Sequence, residues 1–123
     1  MRRTLLILTL LLLPFASHAG PDVLRVGASS ELMPMLEPLV DQYQIETRNK
    51  VLLIGGGESE LAEQVRQGTP YDLLLTPLHG SDKQAQPVEC KVRSMQEQTL
   101  VKGERRALAT HFVEYLGKHC SDH

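Results

Sequence analysis

The segment from Val51 to Thr76 constrains the fold more than any other part of this 123-residue chain. Its opening apolar run, 51–54, is too short for a free-standing helix and is typical of a strand buried on both faces. Three glycines follow, and they let the backbone turn sharply and approach a ligand closely. A helical pattern and a second apolar run, 73–75, complete the segment. The order strand, glycine loop, helix, strand predicts a parallel crossover whose helix N-terminus points at whatever the loop binds.

The ends of the helix in this segment are predicted by individual residues. Ser59 is suited to cap the N-terminus, because its hydroxyl can accept a hydrogen bond from an unpaired amide of the first turn. Gly68 suits the position just after the last turn, and Pro70 prevents the helix from resuming. We therefore expect a short helix between Ser59 and Gly68.

The amino terminus of the chain has the pattern of an export signal. Arg2 and Arg3 precede an apolar core at 5–13, and Ser17-His18-Ala19 offers small residues where a signal peptidase cuts. The apolar core of about nine residues is shorter than the roughly 20 that a membrane span needs. The sequence predicts a signal peptide at 1–19, a periplasmic location and one domain at 20–123. A retained membrane anchor is the alternative.

Length, charge and residue content exclude several classes of function. About 104 residues after the signal are enough for one small domain with a core. The net charge of the whole chain is −2, and loss of Arg2 and Arg3 makes the domain more acidic, which argues against nucleic-acid binding. No Ser-His-Asp or Cys-His arrangement stands out and no pair of carboxylates has an evident catalytic partner, so we expect neither enzymatic activity nor a cofactor.

Two cysteines, Cys90 and Cys120, remain in the predicted exported domain. A disulfide between them would close a loop of about 30 residues and stabilise the fold by about 3 kcal/mol in the chain-entropy model. Two free thiols, or pairing with another chain, are the alternatives. His111, His119 and His123 lie near Cys120, but solvated polar residues at a helix end are the usual case, so no metal site is predicted.

Periodicity predicts the remaining elements, which are a strand at 23–26, a helix ending near residue 43, a short strand near 89–94 and a last helix at 104–119. Pro38 should kink the first of these helices or split off a short leading turn. The stretch from Pro77 to Glu89 is rich in turn residues and predicts a loop.

Two consecutive strand–helix–strand units predict a small α/β sheet, and ligands of such sheets bind outside the carboxyl ends of the strands. The loops expected there are 27–30 and 55–59. Loop amides, the hydroxyls of Ser29, Ser30 and Ser59, and two helix N-termini would converge on one point. This is the chemistry of an oxyanion site without formal positive charge. The alternative is that these residues only cap helices and shape turns.

The order of these segments resembles periplasmic molybdate-binding proteins of ABC transporters. The matching residues are the 23–28 strand with Ser29, Lys50-Val51, the helix segment 61–65, Gly68-Thr69-Pro70-Tyr71-Asp72-Leu73, and the closing segments 100–103 and 109–116. The resemblance implies a type II periplasmic-binding-protein fold, an oxyanion ligand such as molybdate or tungstate, and a membrane permease as partner.

The chain departs from that family in length. Family members are about twice as long and close two lobes over the ligand, whereas here only a short linker, 77–99, lies where the second lobe would be inserted. We therefore expect an α/β fold, a small three-layer sandwich with a mainly parallel sheet that resembles one lobe of a type II periplasmic binding protein.

A second departure lies in the ligand loop. Gly57 stands where the family pattern has a serine, Glu58 is beside it, and Ser59 stands where a glycine is usual. Ser29 matches the first-loop ligand serine. The resemblance implies a ligand-binding set of Ser29, Ser30, Gly57, Glu58 and Ser59.

The sequence therefore predicts an exported, non-catalytic solute-binding protein for a small oxyanion or polar solute, in which a single lobe binds weakly. The alternative is a protein-interaction module, in which the face once covered by the second lobe contacts a partner or forms a homodimer.

Overall fold

A computed structural model describes residues 23–78, 85–88 and 95–120 of the chain. The predicted signal peptide, the predicted strand near 89–94, Cys90 and His123 lie outside the described residues. In chain order the elements are β1 (Val23–Ser29), a 3-10 turn (Ser30–Leu32), α1 (Met33–Thr47), β2 (Lys50–Gly56), α2 (Glu58–Arg66), β3 (Leu73–Pro77), β4 (Gln86–Val88), β5 (Met95–Thr99) and α3 (Gly103–Cys120).

The five strands form one mixed sheet in the order β2-β1-β3-β5-β4. β1 pairs in parallel with both β2 and β3, whereas β5 runs antiparallel to β3 and to β4. The helices follow strands as the periodicity predicts, so the α/β class is confirmed.

The helices lie on both faces of the sheet. Alternate residues of β1, among them Leu24 and Val26, join the main core with α1 and α3. A smaller cluster on the opposite face consists of Leu61 of α2, Tyr71 and Leu74. Because Leu73 and Leu75 belong to the first cluster and Leu74 to the second, β3 is covered on both sides. The result is a three-layer sandwich.

The edge position of β2 changes two expectations. β2 continues through Gly55 and Gly56, two of the three glycines assigned to the loop, because both pair with the end of β1. Leu52 is 50% exposed, so the prediction that this strand is buried on both faces is wrong. α2, on one face of the sheet, packs mainly against β1, so this face of the edge strand β2 is covered incompletely.

Two strands lie inside the segment 77–99 that the sequence predicts as a linker. β5 has the polar sequence Met-Gln-Glu-Gln-Thr, and β4 has only three residues. Their strand character comes from pairing with β3 and with each other, and Val88 and Met95 form a buried pair opposite one another.

Pro38 lies inside α1 rather than at a break, and the helix runs from Met33 to Thr47 without interruption. A short leading turn is present as the 3-10 turn Ser30–Leu32, but it ends before Met33 and not at Pro38.

α3 begins one residue before the predicted start and extends to Cys120. Among the described residues, the helices are too short or too polar for one of them to span a bilayer.

Candidate functional site at the carboxyl ends of β1 and β2

The carboxyl ends of β1 and β2 lie side by side. In the parallel register Ala28 pairs with Gly55 and Ser29 pairs with Gly56. Neighbouring strands are about 4.8 Å apart, so the two loops that follow share one edge of the sheet. We call this edge the rim, defined by residues 29–30 and 55–59.

Ser29 is the most buried polar residue of the rim, at 4% exposure. It precedes the 3-10 turn, but its hydroxyl makes no capping hydrogen bond to that turn. Ser30 begins the turn and is exposed, and its carbonyl accepts a hydrogen bond from the Met33 amide. The serine pair therefore combines one buried hydroxyl and one exposed hydroxyl at the end of β1.

Gly57, not Ser59, is the N-cap of α2, so the prediction that Ser59 caps this helix is wrong. Ser59 is the second helical residue and is exposed, and Glu58 is half-buried at the first helical position. The cap contact is made instead by Glu60, whose Oε1 lies 3.4 Å from the Gly57 amide nitrogen. Glu60 follows Gly57 by three residues, the spacing that the capping box requires.

The glycines of the rim allow close approach from two sides. A Cβ at Gly55 would lie 2.9 Å from Cγ of Met33, so the methionine packs directly on the backbone at the start of α1. A Cβ at Gly56 would lie 2.9 Å from Oε1 of Glu60 on the α2 side. The rim is therefore bounded by a thioether side chain on one face and by a carboxylate on the other.

All five residues of the predicted ligand-binding set lie in the segments that define the rim, and their role as ligands stays a prediction. The sequence reasoning missed the two side chains that bound the rim, Met33 and Glu60. The capping-box spacing from Gly57 could have identified Glu60. The position of Met33 depends on packing between elements, and local spacing does not indicate it.

Asp72 lies at the opposite end of the sheet and joins four segments. Its carboxylate accepts hydrogen bonds from Arg105 Nε at 2.8 Å and Nη2 at 2.6 Å, and from the Arg25 amide at 2.8 Å. Its own carbonyl accepts from the Leu100 amide, and Arg105 also donates to the carbonyl of Val23. The residue is 3% exposed. Asp72, which belongs to the most specific part of the family resemblance, therefore stabilises the fold far from the rim.

The charge on Asp72 is retained despite burial. Burial by itself favours the neutral carboxyl, but hydrogen bonds from the Arg105 guanidinium and the Arg25 amide, with the charges of both arginines, outweigh this effect and lower the pKa of Asp72. For Tyr71 both causes act in the same direction: burial, and then the negative charge of Glu60, raise its pKa. Its hydroxyl donates a 2.6 Å hydrogen bond to Gln64 Oε1 of α2.

Two cavities lie near the C-terminus of α1 and along α3, away from the rim. Their volumes are about 370 and 410 Å³, and His111 lines both. The His111 Nδ1 atom shares a 2.8 Å hydrogen bond with the hydroxyl of Tyr43. Within the described ranges, three or more His, Cys, Asp and Glu side chains do not cluster as metal ligands would.

Cys120 is buried with its Sγ 3.6 Å from Sδ of Met35, while Cys90 lies outside the described residues, so the disulfide stays a prediction.

Residues 24–86 match the family described as bacterial extracellular solute-binding protein. The chain belongs to this family. The matched residues begin in β1 and end at the first residue of β4, so they include the whole rim and exclude β5 and α3. The comparison with curated proteins returns no match. Family membership assigns the chain a general solute-binding role outside the cytoplasm.

Proposed function

We propose that this protein binds a small oxyanion, such as molybdate, tungstate or sulfate, or a similar polar solute, at the rim. The observation that carries the proposal is the register of β1 and β2, which sets the buried Ser29 beside Gly56, one residue before the N-cap of α2. Amides of a helix N-terminus and a buried hydroxyl are the donors that an oxyanion accepts. The ligand set is Ser29, Ser30, Gly57, Glu58 and Ser59.

The charges near the rim limit the affinity that we expect. Each charge-assisted hydrogen bond to an oxyanion contributes about 1.5–3 kcal/mol. A carboxylate about 4 Å from a dianion opposes this by about 2 kcal/mol in water, and by more where water is excluded. Glu58 and Glu60 both lie in the first turn of α2. Because one lobe also leaves the ligand in contact with water on one side, binding should be weak.

In this proposal the protein delivers its solute to an ABC permease in the membrane, after export through cleavage of the signal at 1–19. The exported location is consistent with the extracellular family. Binding requires neither a cofactor nor catalysis.

The test is thermal unfolding in the presence of molybdate, tungstate, sulfate and, as an ionic-strength control, chloride. Binding predicts a rise in Tm with the oxyanions that the Ser29→Ala, Ser30→Ala double variant loses. Thr110→Ala, which removes an exposed hydroxyl from α3, is the matched control and should keep the rise. The proposal would be disproved if millimolar oxyanion raised the Tm neither of the wild type nor of a variant in which Glu58 or Glu60 is replaced by glutamine.

The edge strand β2 favours a second candidate function, that of a protein-interaction module. One side of β2 carries backbone groups without a neighbouring strand in the described sheet, and Leu52 is half exposed there. Such an edge is a template for pairing with another chain. Sedimentation at several concentrations tests for a homodimer, which Leu52→Lys should weaken. A monomer at every concentration would argue against self-association.

A further inference from the structure

We propose that the Glu60 carboxylate competes with the solute for the Gly57 amide, and that its charge lowers the affinity of the rim for oxyanions in proportion to the charge of the oxyanion. This inference rests on the proposed function and names the residue that sets its selectivity. Glu60 is outside the ligand set that the sequence predicts. Its carboxylate accepts a hydrogen bond from the Gly57 amide and occupies the space that a side chain at Gly56 would need.

Glu60 lies on the same face of the sheet as the buried serine of the rim. Its Oε1 is 2.9 Å from the site of a Cβ at Gly56, so the carboxylate lies over the backbone on the α2 side of β2. Ser29 pairs with Gly56 in parallel register, and paired residues of neighbouring strands direct their side chains to the same face. The Ser29 hydroxyl, buried and without a capping bond to its turn, is therefore on the face of the sheet that Glu60 covers.

The hydrogen bond that Glu60 accepts from the rim is long. Its Oε1 is 3.4 Å from the Gly57 nitrogen, whereas charge-assisted N–H···O bonds are usually about 2.7–2.9 Å. The Glu60 carboxylate therefore accepts a hydrogen bond from the Gly57 amide, which an oxyanion would also need, but this hydrogen bond is weak. A solute oxygen at normal distance can displace it.

Displacement of the Glu60 carboxylate does not remove its charge from the rim. The side chain remains anchored in the first turn of α2, next to the same amides. Its charge already acts on this face of the sheet, because it contributes, after burial, to the raised pKa of Tyr71. A dianion is repelled about twice as strongly as a monoanion by the same carboxylate.

The test compares Glu60→Gln with Glu63→Gln by calorimetric titration with molybdate, sulfate and nitrate. The glutamine that replaces Glu60 keeps an oxygen that can accept from the Gly57 amide, so the change isolates charge from capping. Glu63 is one turn further along α2, pairs with Arg66, and its loss changes the net charge of the protein equally. We expect Glu60→Gln to lower the Kd for the dianions about tenfold, which corresponds to about 1.4 kcal/mol, and that for nitrate about threefold.

The remaining outcomes decide between this inference and the proposed function. Equal effects of Glu60→Gln and Glu63→Gln, or no effect of either while Ser29→Ala, Ser30→Ala abolishes binding, would overturn the role of Glu60 and leave the solute site intact. Binding by Glu60→Gln alone, with none measurable in the wild type, supports the competition directly. Absence of binding in both proteins overturns both proposals. A cooperative thermal unfolding transition in Glu60→Gln and in Glu63→Gln verifies that the substituted proteins are folded.

Discussion

Asp72 and Arg105 form a bidentate ion pair between the residue before β3 and the first turn of α3, with hydrogen bonds of 2.8 and 2.6 Å. The carboxylate is almost completely buried, and the same guanidinium also reaches the carbonyl of Val23 at the start of β1. This pair joins the C-terminal helix, which lies outside the family match, to the matched part of the sheet.

Removing the cation should be strongly destabilising, because Arg105→Met leaves a buried carboxylate without its partner. We expect a loss of about 3–5 kcal/mol in the free energy of unfolding, measured by urea denaturation. Arg106→Met, at the exposed neighbouring position, is the control and should change stability by less than about 0.5 kcal/mol. Similar losses in the two variants would show that the pair contributes little.

The same pair should make stability depend on pH at the acidic end. The folded-state pKa of Asp72 is lowered below its unfolded value of about 3.9, so the pair's stabilisation is complete above that pH and is lost as pH falls through the folded pKa. Arg105→Met removes the hydrogen bond that lowers the pKa of Asp72 most, and burial then favours the protonated carboxyl. The stability difference between wild type and Arg105→Met should therefore narrow as pH falls from about 5 towards 2, which chemical denaturation at each pH can measure. A difference that stays constant over this range would contradict the assignment.

Gly57 and Gly68 offer a matched pair of substitutions to serine. A Cβ would meet no atom within 4 Å at either position, but Gly57 has φ −70° while Gly68 has φ +96°. Gly57→Ser supplies a side-chain cap to α2 and should stabilise by a few tenths of a kcal/mol. Gly68→Ser forces a side chain into the left-handed region and should destabilise by about 1 kcal/mol or more. Thermal unfolding of both variants checks the difference in sign, and equal shifts would refute it.

The predicted disulfide can be tested by the reactivity of the two cysteines. If Cys90 and Cys120 are bonded, alkylation without reductant should leave both unmodified in mass spectra of the unfolded protein, and reduction should expose two thiols. Loss of the bridge in Cys90→Ser should cost about 3 kcal/mol, from the entropy of a loop of about 30 residues. Cys120→Ser adds the cost of a polar group at a buried site, so Cys90→Ser is the cleaner variant. Two alkylated thiols before reduction would contradict the bridge.

The sequence is sufficient where a residue's own backbone preference decides the structure. Gly68 is predicted to follow the last turn of α2, and its positive φ confirms this. The apolar runs predict β1, β2 and β3, although pairing with β1 extends β2 by two glycines beyond its apolar residues.

The sequence is insufficient where a distant partner decides the structure. The polar strand β5 exists because it pairs with β3, and no apolar alternation marks it. The partner of Asp72 is 33 residues away in the chain, so spacing could not connect them. At the candidate site, the rule for parallel sheets predicts that the loops after β1 and β2 share one edge, and the register confirms this. Hydroxyl residues cap helices more often than glycine, so the sequence indicates Ser59 as the N-cap, but Gly57 occupies that position.

The ion pair of Asp72 and Arg105 lies at the amino ends of the strands, and the glycine- and serine-bearing loops lie at their carboxyl ends. Because the groups that hold the sheet to its C-terminal helix are remote from the loops, the exposed loop residues Ser30, Gly57 and Ser59 can be exchanged with little penalty to folding, whereas Gly55 and Gly56 have no room for a side chain. The fold is accordingly a suitable scaffold for new recognition residues at these exposed positions, and selection for a new ligand need not begin by repairing the fold.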